Sequence, residues 1–304
     1  MINKYPHLRR GALLAATLAL GAFASLFMQP RKVIPAEATY RLERSIGGIE
    51  FTPADWPQPL FADLHLPQRG GPLPVVMTVH GGGWAKRNRG DMDAIGKKLV
   101  RHGYAVLNVS YRFAPRFTFP AQLHDLEQAL EWIVANAERY RLDVERINAW
   151  GYSSGAHLVA LLASRDSDQP KSRVSSDSPP LRAVVAGGIP ADLLKYPDSG
   201  IINRFIGGNG NELATVWADA SPVNHVSDDD PPVFLYHGKL DILVGADQSS
   251  NYYATLRAGG VDAELYLDNW LGHFGMFLFG GDAEARAIAF LDRNNTLPTT
   301  LAQP

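Results

Sequence analysis

Beyond residue 38 the chain alternates between two kinds of apolar pattern. Residues 73–80 (LPVVMTVH) are apolar almost without a break, as in a strand buried on both faces of a sheet. Residues 104–109, 146–150, 181–186, 232–237 and 261–267 are further short runs of strand character, and 40–51 and 60–66 read as an earlier pair, a candidate hairpin. Between the runs the period lengthens to three and four. Leu123, Leu126, Leu130, Ile133 and Val134 predict a helix over 119–140 with Pro120 in its first turn. Ile95, Leu99 and Val100 predict another over 91–102, stopped by Gly103. Residues 154–164, 248–258 and 283–291 supply three more. Parallel neighbours need a crossover connection, so this alternation predicts an α/β architecture: a mostly parallel sheet of about eight strands with helices on both faces.

Two stretches interrupt the alternation. Residues 166–180 (DSDQPKSRVSSDSPP) are polar and Pro/Ser-rich, hence a surface loop. Residues 190–225 contain Ile201, Ile202, Phe205 and Ile206 at helical spacing. With Tyr196 and Trp217, this insertion is either a lid or pocket wall or ordinary crossover packing. No composition break or repeat marks a second domain, so 39–293 reads as one domain, followed by a flexible tail over 294–304.

The start of the chain has a different pattern. Lys4, Arg9 and Arg10 precede residues 11–28, which carry no charge. A basic start followed by an apolar run predicts a signal peptide or an N-terminal membrane anchor over 1–38, and therefore an exported or membrane-anchored protein. Ala22-Phe23-Ala24 and Ala36-Glu37-Ala38 both offer small-x-small cleavage sites. The run is rich in alanine and barely long enough to span a bilayer, which favours cleavage over a permanent anchor.

Composition narrows the chemistry. The 304 residues hold 29 Lys and Arg against 31 Asp and Glu, a net charge of −2, so no basic stripe speaks for nucleic acid as a partner. The absence of cysteine removes disulfides, thiolate metal sites and a cysteine nucleophile. The nine histidines form no H-x-x-x-H pair, so no metal site is expected. Oligomeric state is not legible at this level.

Gly151-Tyr152-Ser153-Ser154-Gly155 matches G-x-S-x-G between a predicted strand and a predicted helix. A serine at that junction sits on a tight turn, and the flanking glycines relieve the crowding. The turn lifts its hydroxyl above the C-terminal edge of the sheet, where open α/β sheets bind ligands. A serine hydroxyl needs a base to attack, and the oxyanion it generates needs donors. His80-Gly81-Gly82-Gly83-Trp84 follows strand 73–80 and can turn backbone N–H groups toward the site. Asp241 follows strand 232–237, and His273 follows strand 261–267, which completes the order Ser153, Asp241, His273. Asp247, Asp268 and His237 compete for the acid and base positions, and His237, on the strand itself, reads as structural.

With these motifs the chain resembles an α/β-hydrolase of the esterase/lipase type, related to hormone-sensitive-lipase-like esterases. It is more similar to the feruloyl/acetyl-xylan esterase-like group, which shares HGGGW, a Y-R-x-x-P segment (here Tyr111 to Pro115) and a following F-P-A helix start (Phe119 to Ala121). The likeness spans about residues 55–293. GYSSG stands where the lipase-like group has GDSAG, and no large cap precedes the first strands.

The resemblance implies Ser153 as nucleophile, His273 as general base and then acid, and Asp241 as the group that orients His273. It implies an oxyanion hole from the N–H groups of Gly82, Gly83 and Ser154, no cofactor, and hydrolysis of small or short-acyl esters. Kynurenine formamidase-like proteins share an H-G-G-x-W loop, so an arylformamidase-type C–N hydrolase is the alternative on the same triad. Trp84 and Tyr152 are candidate pocket residues. Lys86, Arg87, Arg89, Arg112 and Arg116 either make the mouth electropositive or lie on solvated loops.

Overall fold

The computed structural model describes residues 38–168 and 181–296; all but the last residue of the predicted leader over 1–38, residues 169–180 of the predicted loop over 166–180 and the last eight residues lie outside them. The strands are β1 (Leu42–Glu50), β2 (Phe61–Pro67), β3 (Leu73–Val79), β4 (Ala105–Val109), β5 (Leu142–Tyr152), β6 (Ala183–Gly187), β7 (Val233–Gly238) and β8 (Ala263–Asp268). They form one open sheet in the order β1-β2-β4-β3-β5-β6-β7-β8. The pairs β1–β2 and β2–β4 are antiparallel and the rest are parallel. This is the α/β-hydrolase fold.

The helices are α1 (Asp93–Arg101), α2 (Ala121–Ala135), α3 (Ala137–Tyr140), α4 (Ser154–Asp168), α5 (Gly200–Ile206), α6 (Ala214–Asp219), α7 (Asp247–Ala258), α8 (His273–Phe279) and α9 (Gly281–Asn294). Side chains of successive strand residues divide between two apolar layers. Val75, Met77, Val79, Leu107, Val184 and Leu235 pack with residues of α2, α4 and α7. Val76, Val106, Val185 and Phe234 pack on the other face with α1 and α9. Both faces of the central strands are covered, which is why those strands read as continuous apolar runs.

Four sequence expectations change. The helix over 119–140 is two, because the chain leaves helical geometry at Asn136, whose side-chain amide donates to the Trp132 carbonyl (2.9 Å). β5 begins at Leu142, four residues earlier than its apolar core. Leu142 and Asp143 pair with Leu73 and Pro74 before an irregularity, and the polar residues there hide the extension. The predicted tail over 294–304 starts with held residues, and its part over 297–304 lies outside the described residues. Asn295 is buried and exchanges side-chain hydrogen bonds with Asn148 at 3.1 and 3.0 Å. Helix α8 has no counterpart in the sequence pattern, because Phe274, Leu278 and Phe279 point outward and blur its periodicity.

A buried ion pair ties the Y-R-x-x-P segment to α2. The Asp125 carboxylate, without solvent contact, accepts from Arg112 N (2.8 Å), Arg112 Nε (2.7 Å) and the indole N–H of Trp56 (2.8 Å). Burial raises the Asp125 carboxyl above its ordinary value, against the opposing pull of Arg112 and Trp56. Removing one member of a buried pair strands the other charge. Asp125→Ala is expected to lower the unfolding free energy by about 3–5 kcal/mol, measured by urea denaturation.

Candidate active site

The position of Ser153 is a product of steric constraint. β5 ends at Tyr152, α4 begins at Ser154, and Ser153 between them has φ 56°, in the left-handed region. A side-chain-bearing residue held there is strained, and the strain is tolerated where the surroundings enforce it. Here they do. Ser153 N–H donates to the Gly187 carbonyl (2.8 Å), and the Ser153 carbonyl accepts from His157 N–H (3.0 Å). A Cβ on Gly151 would lie 2.3 Å from the Gly155 backbone, and one on Gly155 would lie 2.1 Å from the Val79 carbonyl oxygen.

The hydroxyl so presented meets a histidine and an acid brought from far along the chain. His273 Nε2 lies 2.9 Å from Ser153 Oγ, and His273 Nδ1 lies 2.6 Å from Asp241 Oδ2. His273 opens α8, and Asp241 sits in the loop after β7. Backbone bonds from Lys239 N to Asp268 O (2.7 Å) and from Leu240 N to Leu271 O (3.1 Å) zip the two loops together. The other carboxylate oxygen, Oδ1, accepts from Leu243 N (2.9 Å) and Val244 N (2.8 Å). Burial alone would push the Asp241 carboxyl up. Hydrogen bonds from His237, His273 and Val244 N–H outweigh it and hold the group well below the usual carboxylate range. An ionised Asp241 only accepts, so His273 carries its proton on Nδ1 and turns a bare Nε2 to the serine.

Of the competing residues, Asp247 pairs with Lys195 (3.0 Å), and Asp268 accepts from the backbone N–H groups of Trp270 and Leu271 (2.8 and 2.9 Å). His237 is not a bystander, since its Nε2 lies 3.0 Å from Asp241 Oδ2. The sequence signal for that contact is the four-residue spacing from His237 to Asp241 across a turn.

A family profile of the BD-FAE type matches residues 62–256, more than half of the chain. The chain belongs to the BD-FAE family. Among curated proteins it is 30% identical over 209 residues to a probable carboxylic ester hydrolase, LipM, of Mycobacterium tuberculosis, covering 65% of this chain and 48% of that one. It is 29% identical over 231 residues to a probable isoprenylcysteine alpha-carbonyl methylesterase of Oryza sativa, covering 71% and 54%. The chain thus spans about half the length of the curated relatives it matches. Among solved structures, a carbohydrate esterase from gut microbiota superposes with a TM-score of 0.76 at 24% identity, covering 86% of this chain and 99% of that one. The thermostable carboxylesterase EstE1 gives a TM-score of 0.70 at 20% identity, covering 85% and 92%.

In this BD-FAE chain the HGGGW loop runs directly against the nucleophile turn. A Cβ on Gly81 would lie 3.2 Å from Ser153 Cβ, and one on Gly82 (φ 122°) would lie 2.1 Å from the Lys86 carbonyl oxygen. Among the described residues neither Gly82 nor Gly83 N–H donates to another backbone carbonyl. Ser154 N–H belongs to the first turn of α4, where backbone donors have no intrahelical partner. Ser154 directly follows Ser153 in the chain, and Ile201 of α5 closes on Gly83 from the insertion, 3.1 Å from where a Cβ would stand.

The two candidate pocket residues have other places. Trp84 is buried beneath the loop, stacked on Phe205 with ring centroids 4.4 Å apart, its indole N–H donating to His157 Nδ1 (3.3 Å). Tyr152 is also buried, and its hydroxyl donates to the His273 carbonyl (2.5 Å). Both side chains are nearly fully buried, at 3% and 4% exposure, and support the glycine loop and His273 from beneath. Of the five basic residues that follow β3 and β4, Arg87, Arg89 and Arg112 pair with Asp91, Asp63 and Asp125, each at 2.7 Å, while Lys86 and Arg116 are exposed, Arg116 lying over the Phe117 ring at 5.2 Å. Beside exposed Lys239 and Asn269, the acid and histidine loops also expose a group of large apolar side chains. Leu240, Ile242 and Leu243 flank Asp241, and Trp270 and Phe274 flank His273. Ile242 is fully exposed and Trp270 82% exposed, and the Phe274 ring stands edge-on to His273 at 5.7 Å. Among the described residues no cluster of His, Cys, Asp or Glu converges as metal ligands would.

Two buried histidines support the same loop. His80 stacks on Tyr111 with centroids 4.5 Å apart, and His157 Nε2 donates to the Ala220 carbonyl (2.7 Å). Burial lowers both to about 4. Unfolding frees them to titrate near their ordinary value of about 6.5, so the unfolded chain binds more protons between those limits. Their contribution is therefore complete above about pH 6.5 and is lost as pH falls toward 4. The urea midpoint is expected to fall through that window. His157→Gln, which keeps a donor for Ala220, should lessen the slope by up to about 1.4 kcal/mol per pH unit.

Proposed function

We propose that the protein is a serine carboxylic-ester hydrolase that acts on small or short-acyl esters through an acyl-enzyme on Ser153. The observation that carries this reading is the unbroken series Ser153 Oγ, His273 Nε2, His273 Nδ1, Asp241 Oδ2, with contacts of 2.9 and 2.6 Å beside the glycine loop. Relatives named as esterases and carboxylic ester hydrolases support it.

The steps follow from the geometry. An ester carbonyl seats its oxygen toward the N–H groups of Gly82, Gly83 and Ser154. Ser153 Oγ attacks the carbonyl carbon as His273 Nε2 takes its proton. Asp241 stabilises the imidazolium by accepting from Nδ1, and remains ionised because its pKa is held low. The tetrahedral intermediate collapses, and His273 returns the proton to the departing alcohol. Water then enters and attacks the acyl carbon as His273 Nε2 takes its proton, and collapse of the second intermediate releases the acid as that proton returns to Ser153 Oγ. The apolar side chains of Leu240, Ile242, Trp270 and Phe274 favour an ester with an apolar acyl or alcohol portion over a strongly charged one. We also propose that residues 11–28 direct the chain to or across a membrane; among the described residues no helix is long and apolar enough to cross one.

Ser153→Ala and His273→Ala are each expected to lower kcat on p-nitrophenyl acetate by about 10³-fold or more with the fold retained, and a fluorophosphonate should label Ser153 alone. Undiminished turnover in a pure Ser153→Ala preparation rules out the acyl-enzyme. Faster cleavage of N-formylkynurenine than of p-nitrophenyl acetate and butyrate moves the assignment to C–N hydrolysis. N-terminal sequencing of exported protein tests the leader: a start at Ser25 or Thr39 marks cleavage, and an intact N-terminus in membranes marks an anchor.

A further inference from the structure

The buried polar series does not end at Asp241. His237, next to the last residue of β7, has no solvent contact. Its Nε2 lies 3.0 Å from Asp241 Oδ2 and 2.9 Å from the Val244 carbonyl oxygen. Both neighbours only accept hydrogen bonds, since Asp241 is held ionised, so Nε2 must carry a proton and donate. On the far side of the ring, Nδ1 lies 2.7 Å from the hydroxyl of Ser249, a fully buried residue of α7. The resulting line runs Ser249, His237, Asp241, His273, Ser153, through contacts of 2.7, 3.0, 2.6 and 2.9 Å.

We infer that His237 is a positioning residue for the reaction, anchored by Ser249, and that it fixes the carboxylate oxygen that orients His273. The inference rests on the acyl-enzyme reading above. Its physical basis is that Oδ2 serves two imidazoles at once. The backbone donors Leu243 N and Val244 N restrain only Oδ1. Without the His237 donor, His273 is the remaining hydrogen-bond partner of Oδ2 among the described residues. The carboxylate can then pivot about its Oδ1 contacts, and the His273 Nδ1 bond that sets the imidazole's direction loosens. Because His237 stands behind Asp241 and touches no reacting atom, its loss should act on kcat and spare KM.

The two imidazole nitrogens allow a direct test. Gln places a side-chain N–H where Nε2 was and keeps the donor to Asp241. Asn mimics Nδ1, keeps a partner for Ser249 and leaves Oδ2 without its second donor. In the full chain, His237→Asn should lower kcat about 10- to 100-fold with KM within about twofold, whereas His237→Gln should stay within about fivefold of wild type; these ranges follow from the worth of a hydrogen bond to a charged group. Ser249→Ala should show a smaller loss in kcat. The rate of fluorophosphonate labelling at Ser153 should fall in the same order. Thermal melting of each variant supplies the control. Equal kcat for the Asn and Gln variants, or losses that follow Tm alone, overturns the positioning role. If wild-type Ser153 takes no label, the acyl-enzyme reading has failed instead, and the two failures are told apart.

Discussion

The site depends on the close approach of the first turn of α4 to the end of β3. Gly155 faces the Val79 and His80 carbonyl oxygens with no room for a Cβ. Because that contact is between backbones, it locks two things together. The nucleophile turn cannot rise without lifting α4, and the glycine loop that leaves β3 cannot drift from Ser153. The distance between the Ser153 hydroxyl and the glycine loop is thus set by sheet geometry more than by side-chain packing. Strain at Ser153 (φ 56°) is a consequence of this arrangement and is held by hydrogen bonds at both of its backbone groups.

The remaining proposed groups are held less rigidly by backbone and more by polar contacts. Asp241 and His273 lie on loops after β7 and β8, at the far edge of the sheet from β1 and β2. Each loop would be mobile alone, and two backbone bonds join them. Asp241 is a buried anion whose desolvation would be costly, and four N–H groups converge on it. Tyr152 adds a second restraint from the nucleophile side by capturing the His273 carbonyl. The elbow therefore supports the histidine as well as the serine. Around this polar centre several large apolar side chains, Leu240, Ile242, Leu243, Trp270 and Phe274, stand exposed.

Most of the architecture was legible in one dimension. Strands buried on both faces leave continuous apolar runs, and each run over 73–80, 104–109 and 232–237 contains its observed strand to within a residue at either end. Helices that cover one face leave a three-to-four period, which located α1, α2, α4, α7 and α9. Where those rules have no purchase, the pattern misled. α8 exposes most of its apolar residues, β5 begins with polar ones, and Asn295 is buried by a partner 147 residues away. Such features follow from neighbours in space, which periodicity does not record.

The same division holds for the site. The sequence by itself determined the residue types, their order and their places at strand ends, because a tight turn demands Gly151 and Gly155 and a glycine loop demands Gly81 to Gly83. Only the tertiary structure decided that Asp241, and neither Asp247 nor Asp268, lies beside His273, and that His237 stands behind it. It also decided that Trp84 and Tyr152 support the site from within and that Arg87, Arg89 and Arg112 are already paired. The physical reason is that a hydrogen bond needs two groups within about 3 Å, and only the folded sheet sets that separation for residues dozens or hundreds of positions apart.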